Sequence, residues 1–179
     1  MKLLTVAQLQ TRVYAQKETN LSLLDGLFCQ AKDAGADMIC LPEMFSCPYE
    51  TPNFPVYAEP SGGPSWQTLS RLAKRYQVYL SAGSVPESDE AGNVYNTAYV
   101  FDREGRQIAK HRKVHLFDID VKGGQRFKES DTLTAGDKST VFDTEFGPWG
   151  SASAMISVSP SWPGAWSWTG TGDPGPGSL

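Results

Sequence analysis

The chain changes character at residue 151. Residues 1–150 carry all but one of its charged side chains, and the 29 residues that follow carry only Asp173. Of those 29, sixteen are Ser, Gly or Pro and three are Trp (Trp162, Trp166, Trp168), with no Lys, Arg, Glu, Asn, Gln or His. A packed domain needs apolar residues at a helical or strand period, and this stretch has none. Segments dominated by Ser, Gly and Pro cannot bury enough apolar surface to offset chain entropy. Two units are therefore expected: a folded unit over 1–150 and an aberrant, disordered tail over 151–179.

The rest of the composition excludes several classes. At 179 residues and a formal net charge of −4, the chain is too acidic for a general nucleic-acid binder. No apolar run approaches the ~18–20 residues of a membrane span. The opening MKLLTVAQLQ has its apolar stretch cut by Thr5 and Gln8, unlike a secretory leader. Three cysteines, Cys29, Cys40 and Cys47, are odd in number and lack CxxC spacing, which argues against a disulfide framework or a zinc site. A cytoplasmic location is expected.

Periodicity organises the first 150 residues. Leu3 to Leu9 reads as a short buried strand. Asn20 is a candidate N-cap for a helix with Leu21, Leu24, Leu27, Phe28 and Ala31 at helical spacing, closed by Gly35. Asp37 to Leu41 is a second strand, stopped by Pro42. Phe45 to Pro64 reads as a long loop, and such loops are often functional. Ser65 to Tyr76 is a second helix. Strands are expected over Val78–Val85, Asn93–Asp102, Gln107–Val114 and Ser139–Phe146. Early alternation of strand and helix, then hairpins, makes the class α/β with a mixed sheet.

Cofactor signatures are missing: no GxGxxG follows the first strand and no Walker loop occurs. His111 and His115 precede any elbow-like Ser, against the order of an α/β-hydrolase triad, and no third residue completes a metal site with them. Glu43 sits just beyond the carboxyl end of a buried strand, where open α/β sheets bind ligands. Taken alone, Glu43 equally suits a solvated loop, Lys113 a charged edge strand, and Glu129 an exposed turn. Cys29 and Cys40 read as small buried hydrophobes. Cys47 lies four residues after Glu43, whose charge would raise a thiol pKa and make it a poor nucleophile.

Three segments together resemble the carbon–nitrogen hydrolase family, also called the nitrilase superfamily. They are LPEMFSCPY (41–49), KHRKVHLFDID (110–120) and FKESDTLTAGD (127–137), supported by VAQLQ (6–10) and GSVPE (83–87). Within that family the omega-amidase branch is the most similar. The resemblance implies a four-layer α-β-β-α sandwich of which only the N-terminal part is present. It implies no metal or organic cofactor and a Glu–Lys–Cys catalytic set. Glu43 then matches the general base, Lys113 the lysine, and Glu129 a second glutamate near that lysine. In such chemistry a Cys thioester divides amide hydrolysis into two easier steps. The glutamate moves the protons, and the lysine stabilises the oxyanion. Substrates of the branch are small dicarboxylate monoamides such as 2-oxoglutaramate. The resemblance also implies self-association for an intact enzyme, while the charge and the lack of a long apolar run point to no nucleic-acid or membrane partner.

One element of the set is missing. The family nucleophile follows a segment like Thr144-Glu-Phe-Gly-Pro-Trp-Gly150, in a motif of the type Gly-Ile-Cys-Tyr-Asp-x-Arg-Phe. This chain reads SASAMISVSPSWP there, and no Cys follows Cys47. Back-translation of 151–163 one nucleotide earlier is compatible with LGICYDIRFPELA. Met155-Ile156 forces Asp, Trp162-Pro163 forces the final Ala, and Ser153-Ala154 can supply TGC for Cys. A frameshift at or just before Ser151 is therefore expected, and with it an inactive chain. Two non-catalytic alternatives remain. A divergent tail could use its Trp residues as a partner-binding surface, and the fragment or a pseudoenzyme could act as an interaction module. A Cys47-dependent hydrolase is a third class.

Overall fold

A computed structural model describes residues 3–151 and the short stretch 156–158, with side chains described for 3–150. The chain runs β1 (Val6–Gln8), α1 (Lys17–Asp33), β2 (Met38–Cys40), α2 (Asn53–Tyr57), β3 (Glu59–Pro60), α3 (Pro64–Tyr76), β4 (Tyr79–Ser81) and β5 (Val85–Ser88). It continues with β6 (Val94–Phe101), β7 (Gln107–Arg112), β8 (Asp118–Asp120), β9 (Arg126–Lys128) and a 3-10 turn at Glu129–Asp131. Last come β10 (Thr140–Thr144), β11 (Gly147–Ser151) and β12 (Ile156–Val158).

The main sheet has seven strands in the order β1-β2-β4-β6-β5-β3, with β7 on the other edge of β6. β1, β2 and β4 are parallel, and β6 runs antiparallel to β4, β5 and β7. The class is thus mixed α/β. Side chains alternate along a strand, and here the alternation sorts two cores. Tyr99 and Phe101 pack with Ile39, Leu80 and the helix residues Leu24, Phe28, Leu69 and Leu72. Val100, between them, joins Ala109 of β7 and Phe142 and Trp149 of the small β10–β11 sheet. Helices, main sheet and small sheet therefore stack as layers α, β, β, in the order the sandwich requires.

Several elements differ from the sequence reading, each for a local reason. α1 begins at Lys17, so Asn20 lies inside the helix and is buried rather than capping it. Its amide instead receives the backbone N–H of Tyr14 at 2.7 Å and donates to the carbonyls of Tyr14 and Ser46. The expected strand over Val78–Val85 is two strands, broken at Gly83. That residue has φ +55, and a Cβ there would lie 2.0 Å from the Pro42 carbonyl oxygen. The expected loop over Phe45–Pro64 contains α2, whose Phe54 is fully buried. Strands also follow Phe146: β11 pairs with β10 and with β12. Apart from β12 and Ser151, the 151–179 tail lies outside the described residues. Among the described residues, no helix is long and apolar enough to cross a membrane.

Cross-sheet charge ties the β5–β6–β7 corner. Glu87 of β5, 1 % exposed, accepts from Lys110 and Arg112 of β7. Burial alone would raise its pKa, but the bonds from Arg112 and Lys110 outweigh burial and the net shift is down.

Candidate active site

Glu43, Lys113 and Glu129 come together, although they are far apart in sequence. Glu43 follows β2, where Leu41 still pairs with Ser81 and Pro42 ends the ladder. The turn is fixed by Met44, which sits at φ 51 and donates its N–H to Ser84 Oγ at 3.0 Å. Gly83 belongs to the same device, since only a residue without Cβ lets the chain pass against Pro42. Lys113 follows β7. Its N–H donates to the Asn96 carbonyl and its own carbonyl accepts from Gly136, both at 2.8 Å. Gly136 has to be glycine too, because a Cβ would stand 2.2 Å from the Arg112 carbonyl oxygen. Glu129 opens the 3-10 turn and is pinned by Phe117 through Glu129 N–H to Phe117 C=O at 3.1 Å and Phe117 N–H to Oε2 at 2.6 Å.

The side chains form one hydrogen-bonded cluster. Lys113 Nζ donates to Glu43 Oε1 at 3.0 Å and to Glu129 Oε1 and Oε2 at 3.0 and 2.9 Å. Asn96 Nδ2 donates to Glu43 Oε1 at 2.7 Å. The Tyr49 hydroxyl donates to Glu129 Oε1 and lies 3.2 Å from Glu43 Oε1. The Glu129 side chain is wholly buried and that of Lys113 is 9 % exposed, whereas that of Glu43 is 32 % exposed. Burial opposes the Lys113 ammonium, but the bonds and charges of Glu129 and Glu43 win, and its pKa lies above the ordinary lysine value. Lys113 is therefore a fixed cation at neutral pH.

The carboxylates differ in what they have left to offer. Both oxygens of Glu129 are taken up by Lys113, Tyr49 and the Phe117 N–H. In Glu43, Oε1 collects Asn96, Lys113 and Tyr49, and among the described residues no donor reaches Oε2. A partly exposed carboxylate with one anchored and one free oxygen can accept a proton from a neighbouring acid. The adjacent ammonium can stabilise a developing oxyanion.

The remaining candidates stay outside this cluster. Cys47 is fully buried beside Met44, Phe54 and Leu133. Burial pushes its thiol up to about 12, while the Lys17 charge pulls the other way. The thiol is protonated at neutral pH, and the cause is burial rather than the Glu43 charge expected from spacing. Cys40 is pushed up to about 11 by burial. Cys29, expected to be buried, is exposed on α1 with Sγ 3.8 Å from Asp33 Oδ2. His111 is buried with Nδ1 3.2 Å from Thr140 Oγ1, and His115 is exposed. Among the described residues, no group of three or more His, Cys, Asp or Glu could hold a metal.

Tyr49 and Asn96 were not singled out from the sequence. Tyr49 ends the LPEMFSCPY segment, so a signal was present, but its partner lies 80 residues further on. Asn96 stands in an alternating strand, where one polar residue among apolar neighbours is the only hint.

Comparison with known proteins bears on the family and the fold. The carbon–nitrogen hydrolase family model matches residues 3–162. Omega-amidase NIT2 of Bos taurus is 47 % identical over 141 residues, covering 79 % of this chain and 51 % of the relative. Omega-amidase NIT2 of Homo sapiens is 44 % identical over the same coverage of each chain. The crystal structure of Saccharomyces cerevisiae Nit3, a member of the nitrilase superfamily, matches with a TM-score of 0.72 at 35 % identity. That match covers 82 % of this chain and 54 % of the other. The chain spans about half the length of the relatives it matches.

Proposed function

Because the chain belongs to the carbon–nitrogen hydrolase family, we propose that its cluster is the acid–base half of an omega-amidase-like site. Glu43 is the general base, taking the thiol proton and later activating water through Oε2. Lys113 stabilises the tetrahedral oxyanion, and Glu129 holds Lys113. The substrate class is small dicarboxylate monoamides such as 2-oxoglutaramate, with release of ammonia. The observation that carries this reading is the asymmetry of Glu43, with Oε1 anchored by Asn96 and Lys113 and, among the described residues, no donor on Oε2 beside a buried cation.

The chain has no cysteine after Cys47, and Cys47 is buried and protonated. The 179-residue protein is accordingly an inactive form of such an enzyme, altered by a frameshift at or just before Ser151. Purified chain is expected to release no ammonia from 2-oxoglutaramate; release by this chain overturns the reading. Resequencing the gene tests the frame, and a confirmed frame with this tail removes the frameshift. In a frame-restored gene product, ammonia release is expected to vanish in Glu43→Ala and in Lys113→Ala. Release that survives Glu43→Ala removes Glu43 as the base.

A second reading is favoured by β1, which ends the sheet order with Val6 47 % and Leu3 88 % exposed. Such an edge can add a strand from another chain, so the fragment acts as an interaction module that pairs with a full-length copy. A stable, stoichiometric complex in mixing experiments is the expected result.

A further inference from the structure

The Tyr49 ring is held on two sides. It stacks on Phe127 with centroids 5.7 Å apart and planes 16° from parallel, and it meets Phe54 edge-on at 5.4 Å. This clamp delivers the hydroxyl into the gap between two carboxylates, where it donates to Glu129 Oε1 with Glu43 Oε1 3.2 Å away. A phenol has one proton to give, so it serves one acceptor fully and the other by alternation. Burial first, then the Glu129 bond and the charges of Glu43 and Glu129, hold the phenol above its ordinary pKa. Tyr49 thus stays a neutral donor and is neither base nor nucleophile.

The bonds around it show what that donor is for. Without the hydroxyl, Glu129 Oε1 depends on Lys113 alone, and Glu43 Oε1 keeps only Asn96 and Lys113. The Glu43 carboxylate can then turn about its last side-chain torsion, which is broad for a carboxylate, and exchange its anchored oxygen for its free one. We propose that Tyr49 is a positioning residue for the base. Its hydroxyl locks Glu129 and Glu43 Oε1 onto the same ammonium, so that Glu43 presents Oε2 alone to the open side of the cluster. The proposal rests on the reading of Glu43 as base.

The test uses the full 179-residue chain and the Lys113 ammonium as reporter. Tyr49→Phe keeps the ring and its contacts with Phe54 and Phe127, and removes only the hydroxyl. Hydrogen exchange of the Lys113 ammonium, followed by 15N NMR, is expected to speed up roughly five- to tenfold, because the two carboxylate oxygens that accept from it each lose the hydroxyl that holds them in place. The thermal midpoint is expected to shift little, because the ring keeps its packing on Phe54 and Phe127; were packing the whole role, the exchange rate would stay unchanged too. An unchanged exchange rate in folded Tyr49→Phe overturns the proposal. Should that variant fail to fold, wild type and Glu43→Gln are compared with tyrosine labelled at Cζ. The Tyr49 resonance is expected to move when its second acceptor changes, and a resonance that stays in place overturns the bridge. Failure of the base reading shows separately, as ammonia release that survives Glu43→Ala in the frame-restored product.

Discussion

Lys113 is the hub on which the site's two carboxylates converge. It spans a partly exposed carboxylate and a wholly buried one, and its removal leaves Glu129 as an uncompensated buried charge. Breaking a buried pair in this way costs about 3–5 kcal/mol. Lys113→Met is therefore expected to lower the urea midpoint by a corresponding amount, and Lys113→Met with Glu129→Met to recover most of it, because no bare charge remains. A double variant no better than the single one would show that Glu129 is not the strained partner. At this scale the sequence was informative about identity and silent about geometry. Glu43, Lys113 and Glu129 each fall in a segment that resembles the family, so the resemblance could name them as candidates by position. Tyr49 falls in one as well, but its meaning depends on Glu129 and on the flanking rings of Phe54 and Phe127, and local sequence does not encode those contacts.

At the scale of elements, two joints carry the arrangement. The first is the break between β4 and β5. Gly83 combines φ +55 with backbone 2.0 Å from where a Cβ would stand. Gly83→Ala meets both strain and a clash with Pro42, the residue before Glu43. It is expected to cost more than ~2 kcal/mol in denaturant unfolding, and to weaken the Lys113 ion pair as Glu43 is displaced. The apolar run from Val78 to Val85 hid this break, because hydrophobic periodicity reports burial and not a left-handed backbone angle. The second joint is the contact of β7 with β10, made by buried His111 and Thr140. Burial holds the imidazole below its ordinary value of 6.5. The unfolded chain therefore binds the proton first as pH falls, and the stability present above 6.5 is lost on the way down to the folded value. Urea midpoints between pH 7 and pH 5 should fall in the wild type, and His111→Leu should flatten that part of the fall. The helix α3 and the strands β6 and β7 were legible within a residue or two, since their periods are long and uninterrupted. The β8–β9 hairpin was not, because its three-residue strands carry too few apolar positions to show a period.

Among the described residues, β1 ends the main sheet, with Val6 on it and Leu3 just before it exposed. Flat, apolar edges associate, and a lysine placed on one blocks pairing. Light scattering of the purified chain is expected to show concentration-dependent association that Val6→Lys reduces; association insensitive to that change would place the contact elsewhere. The layered class followed from the order of strands and helices. The stacking of β10–β11 on the far face of β6 did not, because it depends on which side of the sheet Val100 and Phe142 share.

Among the described residues, every donor and acceptor of the cluster lies between Glu43 and Glu129, although pairs within it are as much as 80 residues apart. During synthesis, then, the whole set of polar partners has left the decoding centre before residue 151 is read. Chains fold from the N-terminal side as they emerge, so an altered reading of the message downstream comes too late to change which partners the cluster has. Residues added after position 150 therefore join a cluster whose carboxylates, ammonium and phenol are already chosen.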